Sequence, residues 1–311
     1  MMELIPHDSK IDFLGKQGFC IPLSILLVVA SMYFFISTGE SKYGTDFSGG
    51  HEFLVTFTGG QDSEQIRQGL AAQNVPDARV QAFQGQAKEF SIRLGEVGDA
   101  QTIRGKVEAA LKGAFGDSYT IQKTDYVGPT VGKELRTSAV LAIALGLLGI
   151  LIYVAFRFEF AVGLASIIAL FHDVLISTGV YLISGHQIGM ATLAGALTIV
   201  GYSVNDTVVV FDRVREERNK RRNGDLGAIV NEALNFTLSR TIITHMLTLF
   251  SALALYLIGG GEIADLSLYL CAGIVCGSYS TIFIVAPFVV FWERFRGRDG
   301  VTVSNLQAKK A

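Results

Sequence analysis

A few residues able to carry a proton or a charge stand where this chain is otherwise aliphatic. His172 and Asp173 sit inside "IALFHDVLIS", Asp206 inside "GYSVNDTVVVFDR", and Arg240 and His245 inside "SRTIITHMLTLF". No formally charged residue occurs from Val174 to Asn205, and Val208, Val209, Val210 and Phe211 follow Asp206 almost at once. A charge at the centre of a bilayer costs about 2.5–3.5 kcal/mol on insertion scales, so such groups face a bundle interior and a partner. Arg240 is the natural partner for Asp206: both lie toward the same end of their segments, and a guanidinium suits a carboxylate in low dielectric. Ser203 and Thr207 share a helix face with Asp206, or nearly so, and can hydrate or orient it, with Asn205 as a further polar neighbour.

Two kinds of chemistry compete for this arrangement. In one, Asp206 and Arg240 form a fixed structural ion pair. In the other, protonation of Asp206 releases Arg240, repacks the bundle and moves whatever is attached outside. A charge crossing the membrane is worth about 2.3 kcal/mol per 100 mV, enough to bias such a two-state element. Asp173 reads either as a neutral acid hydrogen-bonded within its helix or as a second proton carrier, and His172 and His245 as packed, singly satisfied histidines. An aspartyl-protease reading would pair Asp173 with Asp206. Asp173 is near mid-span and Asp206 near the inner third, whereas such a dyad shares one proton at about 3 Å. No Ser-His-Asp, Cys-His or metal-ligand grouping is evident, so no enzyme, no catalytic residue and no metal site are expected.

The elements that must hold these residues are membrane helices, since about 20 apolar residues span about 30 Å of hydrocarbon. Six segments qualify, at about 18–37, 137–156, 160–183, 188–211, 240–258 and 265–292. Lys10 and Lys16 precede the first, which lacks a convincing small-x-small cleavage site and reads as an uncleaved anchor. "DRVREERNKRRNG" carries six Lys or Arg within Arg213–Arg222, and Arg294, Arg296 and Arg298 follow the last span. The positive-inside rule therefore places this loop and both termini in the cytoplasm, and Glu40–Arg136 outside. The expected division is 1–37 for the cytoplasmic N-terminus and first span, 38–136 for an outside domain, 137–293 for a five-helix bundle with a cytoplasmic loop at 212–239, and 294–311 for a cytoplasmic tail. Within that loop, "LGAIVNEALNFTLS" has helical spacing and reads as an amphipathic helix on the inner surface. Gly195, Gly201 and the Gly273–Gly277 pair permit close helix approach.

Outside, "HEFLVTF" is a strand candidate closed by Gly59-Gly60, and "DSEQIRQGLAAQNV" a helix capped by Asp62 or Ser63. "ARVQAFQ" and "KEFSIRL" alternate around a turn at Gly85. "DAQTIRGKVEAALKGAF" is a second amphipathic helix, with Ile103, Val107, Leu111 and Phe115 on one side, and "SYTIQKTDYV" a last strand. The order β-α-β-β-α-β is ferredoxin-like. That fold hosts many functions, and without a catalytic grouping it reads as binding or mechanical coupling. "YGTDFSGG" has the glycine density of a tight turn, with Asp46 and the nearby His51 structural. The expected whole is an α-helical integral membrane bundle of six transmembrane helices with a small α+β, ferredoxin-like extracytoplasmic domain.

Composition agrees. Half of the 311 residues are hydrophobic and 17% are charged, and the mean hydropathy is +0.41. These values exclude disorder and indicate a membrane protein. The net charge of −2 gives no reason to expect a nucleic-acid partner. Cys20, Cys271 and Cys276 all fall in apolar runs and read as core residues rather than as a disulfide framework or zinc site.

Taken together these motifs resemble those of the SecD/SecF family of protein-export membrane proteins, within the resistance-nodulation-division superfamily. "YGTDFSGG" resembles the family's Gly-x-Asp-Phe-x-Gly-Gly turn after the first span, "VGPTVGKEL" its Val-Gly-Pro start of the second, and "IALFHDVLIS" its third-span His-Asp. "GYSVNDTVVVFDRVRE" is similar to the fourth-span signature and "NFTLSRTIIT" to the start of the fifth. The resemblance covers nearly the whole chain. It implies work beside the SecYEG channel and accessory translocase subunits in the cytoplasmic (inner) membrane, together with SecD. The proton gradient would draw an unfolded polypeptide outward in late translocation. It also implies Asp206 as the proton-responsive carboxylate, Arg240 as its partner, Asp173 and His172 as weaker candidates, and Gly128 and Pro129 as the hinge to the outside domain. Proline fixes φ there and removes a donor. Protons would be the only coupling ion, with no other cofactor, and six spans would be half of a twelve-span arrangement. A small-molecule or lipid exporter and a passive translocon scaffold are the competing readings.

Overall fold

The structure, a computed structural model, describes residues 6, 9–83, 88–95, 98–221 and 224–297. The turn expected at Gly85, the cation Arg222 and the tail from Arg298 onward lie outside the described residues. Six helices among the described residues are long and apolar enough to cross a membrane: Leu14–Ser37, Pro129–Val154, Phe160–Ile183, Met190–Lys220, Leu226–Ile258 and Gly261–Phe295. Between the first and second stands a small sheet domain.

That domain contains β1 (Gly50–Phe57), α3 (Ser63–Ala72), β2 (Arg79–Ala82), β3 (Glu89–Leu94), α4 (Ala100–Phe115) and β4 (Tyr119–Val127). The sheet order is β2-β3-β1-β4 and every neighbour is antiparallel. This is the split β-α-β arrangement that the element order predicts. Alternation along β1 sends Phe53, Val55 and Phe57 inward. They meet Phe90, Ile92 and Leu94 of β3, Ile66 and Leu70 of α3, and Ile103, Val107 and Leu111 of α4. Asp62, not Ser63, caps α3, accepting from the Gln65 amide while the Gln65 side chain accepts from the Asp62 amide. That reciprocal pair satisfies two donors a helix start leaves open.

"YGTDFSGG" is more than a turn. Its centre is one helical turn, α2 (Thr45–Ser48), ended by Gly49 at φ +77° and Gly50 at φ +121°, conformations that suit glycine. A Cβ on Gly49 would lie 3.0 Å from Pro129 Cα, and one on Gly132 would lie 3.0 Å from the Gly49 nitrogen. The motif is therefore the seat on which the second span, α5 (Pro129–Arg157), begins.

The bundle comprises α1 (Gln17–Ser37), α5, α6 (Phe160–Ile183), α7 (Met190–Lys220), α8 (Leu226–Ile258), α9 (Gly261–Ser280), a π turn (Thr281–Val285) and α10 (Ala286–Phe295). Two expectations change. The second span begins at Pro129 rather than at 137, because proline at the first helical position needs no amide donor and starts the helix early. The segment 212–239, read as a loop with a surface helix, is helical at both ends: α7 runs to Lys220 and α8 starts at Leu226. Leu226, Ile229, Val230, Ala233 and Leu234 are buried against Val210, Phe211 and Val214 of α7 and against Val289 and Val290 of α10. Their apolar stripe therefore faces protein, not a membrane surface. Asn231 and Asn235 of the same helix hold the chain before the first span: the Phe13 amide donates to Asn231 Oδ1 at 2.9 Å and the Ile11 amide to Asn235 Oδ1 at 3.0 Å.

Candidate functional site in the helix bundle

Three helices come together where small residues let them. A Cβ on Gly195 would stand 2.8 Å from the Tyr269 ring, one on Gly273 1.9 Å from Ile199 Cδ1, and one on Gly277 3.3 Å from Ser203 Cβ. These three positions form one line of close approach between α7 and α9. Gly201 does not belong to it; nothing lies within 4 Å of a Cβ placed there.

Asp173 of α6 is fully buried at this crossing. Its Oδ2 accepts from Ser203 Oγ of α7 at 2.7 Å and from Ser280 Oγ of α9 at 2.8 Å, and its Oδ1 lies 2.9 Å from His172 Nδ1. A buried carboxyl needs such partners, since each unmet polar group in a low-dielectric interior is costly. Asp173 is thus bonded across three helices, not only within its own. His172 stacks on Tyr279 with centroids 6.1 Å apart, and the Tyr279 hydroxyl donates to the Cys20 carbonyl of α1 at 2.7 Å. Directly after Ser280 the helix widens into the π turn, a feature often found at functional positions.

Asp206 is buried one turn along α7 from Ser203, about 4.5 Å at 1.5 Å per residue. The group within ion-pair distance of it is His245, not Arg240. His245 Nε2 stands 3.5 Å from Asp206 Oδ2, while His245 Nδ1 is held at 2.8 Å by the Thr241 carbonyl. The reason lies in helix rotation. Leu238, Thr241, His245 and Ala252 are buried along one face of α8. Arg240 is five residues from His245, so about 140° away at 100° per residue, and it is exposed. Among the described residues it makes no ion pair with Asp206. Neither Asp206 Oδ2 nor His245 Nε2 has a hydrogen-bond partner among the described residues. Tyr202 closes over His245 edge-on with centroids 5.0 Å apart, and its hydroxyl donates to Thr248 Oγ1 at 3.2 Å.

The other expected residues divide. Ser203 serves Asp173 rather than Asp206. Thr207 is within 3.3 Å of Thr281 Oγ1 and so ties α7 to the π turn. Asn205 is exposed and lies away from the cluster. Asp173 and Asp206 do not meet, so no shared-proton dyad exists. Gly128 is the extended N-cap and Pro129 the first residue of α5. Sequence reasoning missed Ser280 and Thr281, which no local pattern marks, and it read His245 as merely packed. The burial period along α8 is the signal that would have turned His245 toward Asp206. No group of three His, Cys, Asp or Glu residues able to hold a metal occurs among the described residues.

Outside the bundle, a second polar network ties the sheet domain to the helices. Glu52 of β1 accepts from Thr45 Oγ1 and Ser91 Oγ, both at 2.6 Å, and from Arg93 Nε at 2.8 Å. Burial alone would raise its pKa, but the Arg93 charge and the three hydrogen bonds outweigh it and hold the carboxyl below its usual value. Arg93 reaches on to Gln187 Oε1 at 2.8 Å, and Asp46 Oδ2 accepts from the Met190 amide at 2.8 Å, at the start of the helix that carries Asp206.

Six apolar helices, a ferredoxin-like domain seated on their ends, and buried carboxyl and imidazole groups between them define a multi-pass membrane protein with ionisable groups in its core. The chain belongs to the SecD/SecF family: a family profile described as "Protein export membrane protein SecD/SecF, C-terminal" matches residues 106–295. It is 37% identical over 305 residues to the protein translocase subunit SecF of Calditerrivibrio nitroreducens, covering 96% of this chain and 99% of that one. It is 38% identical to the protein translocase subunit SecDF of Brucella abortus, covering 93% of this chain and 38% of the relative. The fold is similar to a crystal structure of SecDF from Thermus thermophilus, described as a translocon-associated membrane protein. That match has a TM-score of 0.84 and 35% identity, over 94% of this chain and 40% of that one. The chain thus spans nearly the whole of the SecF relative and about two fifths of the SecDF chains.

Proposed function

We propose that this chain is a proton-driven accessory subunit of the Sec protein-export machinery, and that Asp206 with His245 is its proton-responsive centre. One observation carries the reading: a buried carboxyl and a buried imidazole face each other at 3.5 Å, and the two facing atoms, Asp206 Oδ2 and His245 Nε2, have no hydrogen-bond partner among the described residues. An ionised Asp206 attracts a protonated His245 and draws α7 and α8 together. A proton on Asp206, or one lost from His245, removes that attraction, and the two helices separate or rotate. Such a pair is a two-state element, which a gradient biases through the unequal proton affinity of its two packings. Arg240, exposed on α8 and outside ion-pair distance, is a second cation whose charge already acts on Asp206.

Movement of α7 reaches the outside domain through Asp46 at its first turn, and movement of α5 reaches it through the Gly128-Pro129 hinge seated on Gly49. Asp173, held by Ser203 and Ser280, anchors the crossing about which α7 moves, with His172 as its proton-exchange neighbour. The basic run at Arg213–Arg221 and both termini lie on the cytoplasmic side of the inner membrane, and the sheet domain lies outside. SecD supplies the other half of the assembly and SecYEG the channel. The cargo is an unfolded polypeptide, no cofactor other than the proton is used, and no bond is made or broken in the cargo.

The test is Asp206→Asn reconstituted with SecD and the channel in vesicles whose proton gradient is imposed or collapsed. Late translocation is measured at matched membrane levels. Loss of only the gradient-dependent part is expected. Full response to the gradient in the variant would reduce Asp206 to a scaffold residue.

A further inference from the structure

Where the first span ends, cations from two parts of the molecule line one cavity of about 210 Å³: Lys42, Arg79 and Arg93. Lys42 closes the short helical turn Gly39–Lys42 that follows α1, whereas Arg79 opens β2 and Arg93 lies in β3 of the sheet domain. Among the described residues no Asp or Glu lines this cavity; Glu40 and Asp77 line only a larger neighbour of about 730 Å³ that shares Arg79 and Arg93. His186 also lines the smaller cavity, and the acid beyond it, Asp265, stands 2.7 Å from its Nδ1.

Fixed acceptors hold the three cations in place. Arg79 Nη1 donates to the Ser41 carbonyl at 2.9 Å, and that carbonyl also accepts from Gln187 Nε2 at 2.7 Å. Gln187 Oε1 in turn accepts from Arg93 Nη1 at 2.8 Å. Lys42 Nζ donates to the Phe35 carbonyl at 3.1 Å and stands 4.3 Å from the centre of the Phe35 ring. Of the three, only Arg93 has a carboxylate within ion-pair distance among the described residues: Glu52, at 2.8 Å. Yet Lys42 is only 9% exposed. A buried ammonium without a counter-charge is costly, and lysine is seldom buried unless paired. An ammonium carries three donors and a guanidinium five, so Lys42 and Arg79 both have donors left to offer.

We propose that this cavity binds the phosphate of an anionic phospholipid headgroup, which completes the junction between the sheet domain and the bundle. Depth selects a lipid over a soluble anion. α1 ends at Ser37 and α6 at Ile183, so a cavity lined by Thr38 and Leu182 lies where hydrocarbon gives way to headgroups. Phe34, Ile36 and Ile183 are exposed at the same level, where acyl chains begin. Basic pockets beside membrane helices bind anionic headgroups. Arginine meets a phosphate through two parallel N–H bonds, and lysine meets it as a point charge. One phosphate thereby joins Arg79 of the domain to Lys42 of the bundle. The inference depends on the spans, not on which side of the membrane the domain occupies, nor on any role for Asp206.

The test titrates the full chain, in mixed micelles containing phosphatidylcholine, with phosphatidylglycerol, and reads amide exchange by mass spectrometry over residues 38–43 and 79–82. Exchange in both segments is expected to slow as phosphatidylglycerol is added. A cation near an anionic lipid surface is worth about 1 kcal/mol, so the midpoint rises about fivefold in Arg79→Gln and in Lys42→Gln. Each variant is compared with itself without the anionic lipid, which removes the effect of the lost Ser41 or Phe35 bond. Arg79 is exposed, so its variant keeps the domain core, checked as unchanged exchange in β1 and β3. The basic run at Arg213–Arg221 lies at the other end of the bundle, well beyond a screening length of about 10 Å, and its exchange is read separately. Inorganic phosphate should protect neither segment at the concentrations where the lipid does. Absence of protection in the wild type, or an unshifted midpoint in Arg79→Gln, overturns the proposal. Equal protection by inorganic phosphate would make the cavity a site for a soluble anion and overturn the lipid assignment.

Discussion

Removing the hydroxyls that face Asp173 tests the centre of the bundle and reports the charge of that carboxyl. Ser203→Ala and Ser280→Ala each delete one donor to Oδ2, at 2.7 and 2.8 Å, and leave an alanine that fits the same space. A side-chain hydrogen bond between membrane helices is worth about 0.6 kcal/mol on average and about 1.7 kcal/mol at most. Hydrogen bonds to charged groups contribute about 1.5–3 kcal/mol. Ionised, Asp173 makes each substitution cost about 1.5 kcal/mol or more; protonated, it makes the cost about 0.6 kcal/mol. Because both serines serve one oxygen, the double variant departs from additivity, as groups sharing a partner do. Unfolding by SDS in mixed micelles, extrapolated linearly, measures these differences. Asp173→Asn, which keeps an acceptor oxygen but no charge, completes the comparison and should make both serine substitutions cheap. Two single variants that each lie within about 0.3 kcal/mol of wild type, well below the average bond, would refute the three-helix junction described here.

The other predictions concern packing and the sheet domain. Gly273→Ala places a methyl 1.9 Å from Ile199 Cδ1 and should cost about 1–3 kcal/mol of overpacking, partly rescued by Ile199→Val, whereas Gly201→Ala meets nothing and should be neutral or stabilising by up to about 1 kcal/mol; SDS unfolding separates the two. Glu52→Gln should destabilise the sheet domain by about 1.5–3 kcal/mol near neutral pH, read as faster amide exchange in β1 and β3. The folded pKa of Glu52 lies below its usual 4.5, so the difference between wild type and variant is full above that value and vanishes as pH falls through the folded value.

Much of this molecule could be read along the chain, because its signals are local. Six apolar runs gave the spans, and the alternation of Phe53, Val55 and Phe57 gave a strand with one buried face. The spacing of Ile103, Val107 and Leu111 gave a helix, and the order of these elements gave the sheet topology. Gly195, Gly273 and Gly277 read correctly as points of close approach, whereas Gly201, read the same way, meets nothing within 4 Å, because which side of a helix faces a neighbour is not written in the local stretch. Errors gathered where a helix had to be given a direction to face. Periodicity places His245 with Thr241 and Ala252 and sets Arg240 aside, but charge complementarity favoured Arg240 as the partner of Asp206. A shared helix face gave Ser203 to Asp206, while the hydroxyl points across the α6–α7 contact to Asp173.

The sequence alone determined which residues are too polar for lipid and must be buried in protein, since that follows from the cost of an unpaired charge in hydrocarbon. Only the tertiary structure decided who meets whom. Ser203 and Ser280 reach Asp173 from 30 and 107 residues away, and Gln81 reaches Asp265 across 184. Such meetings are set by the rotation of each helix about its axis and by the close crossing that the glycines permit, and neither is a property of any local stretch of chain.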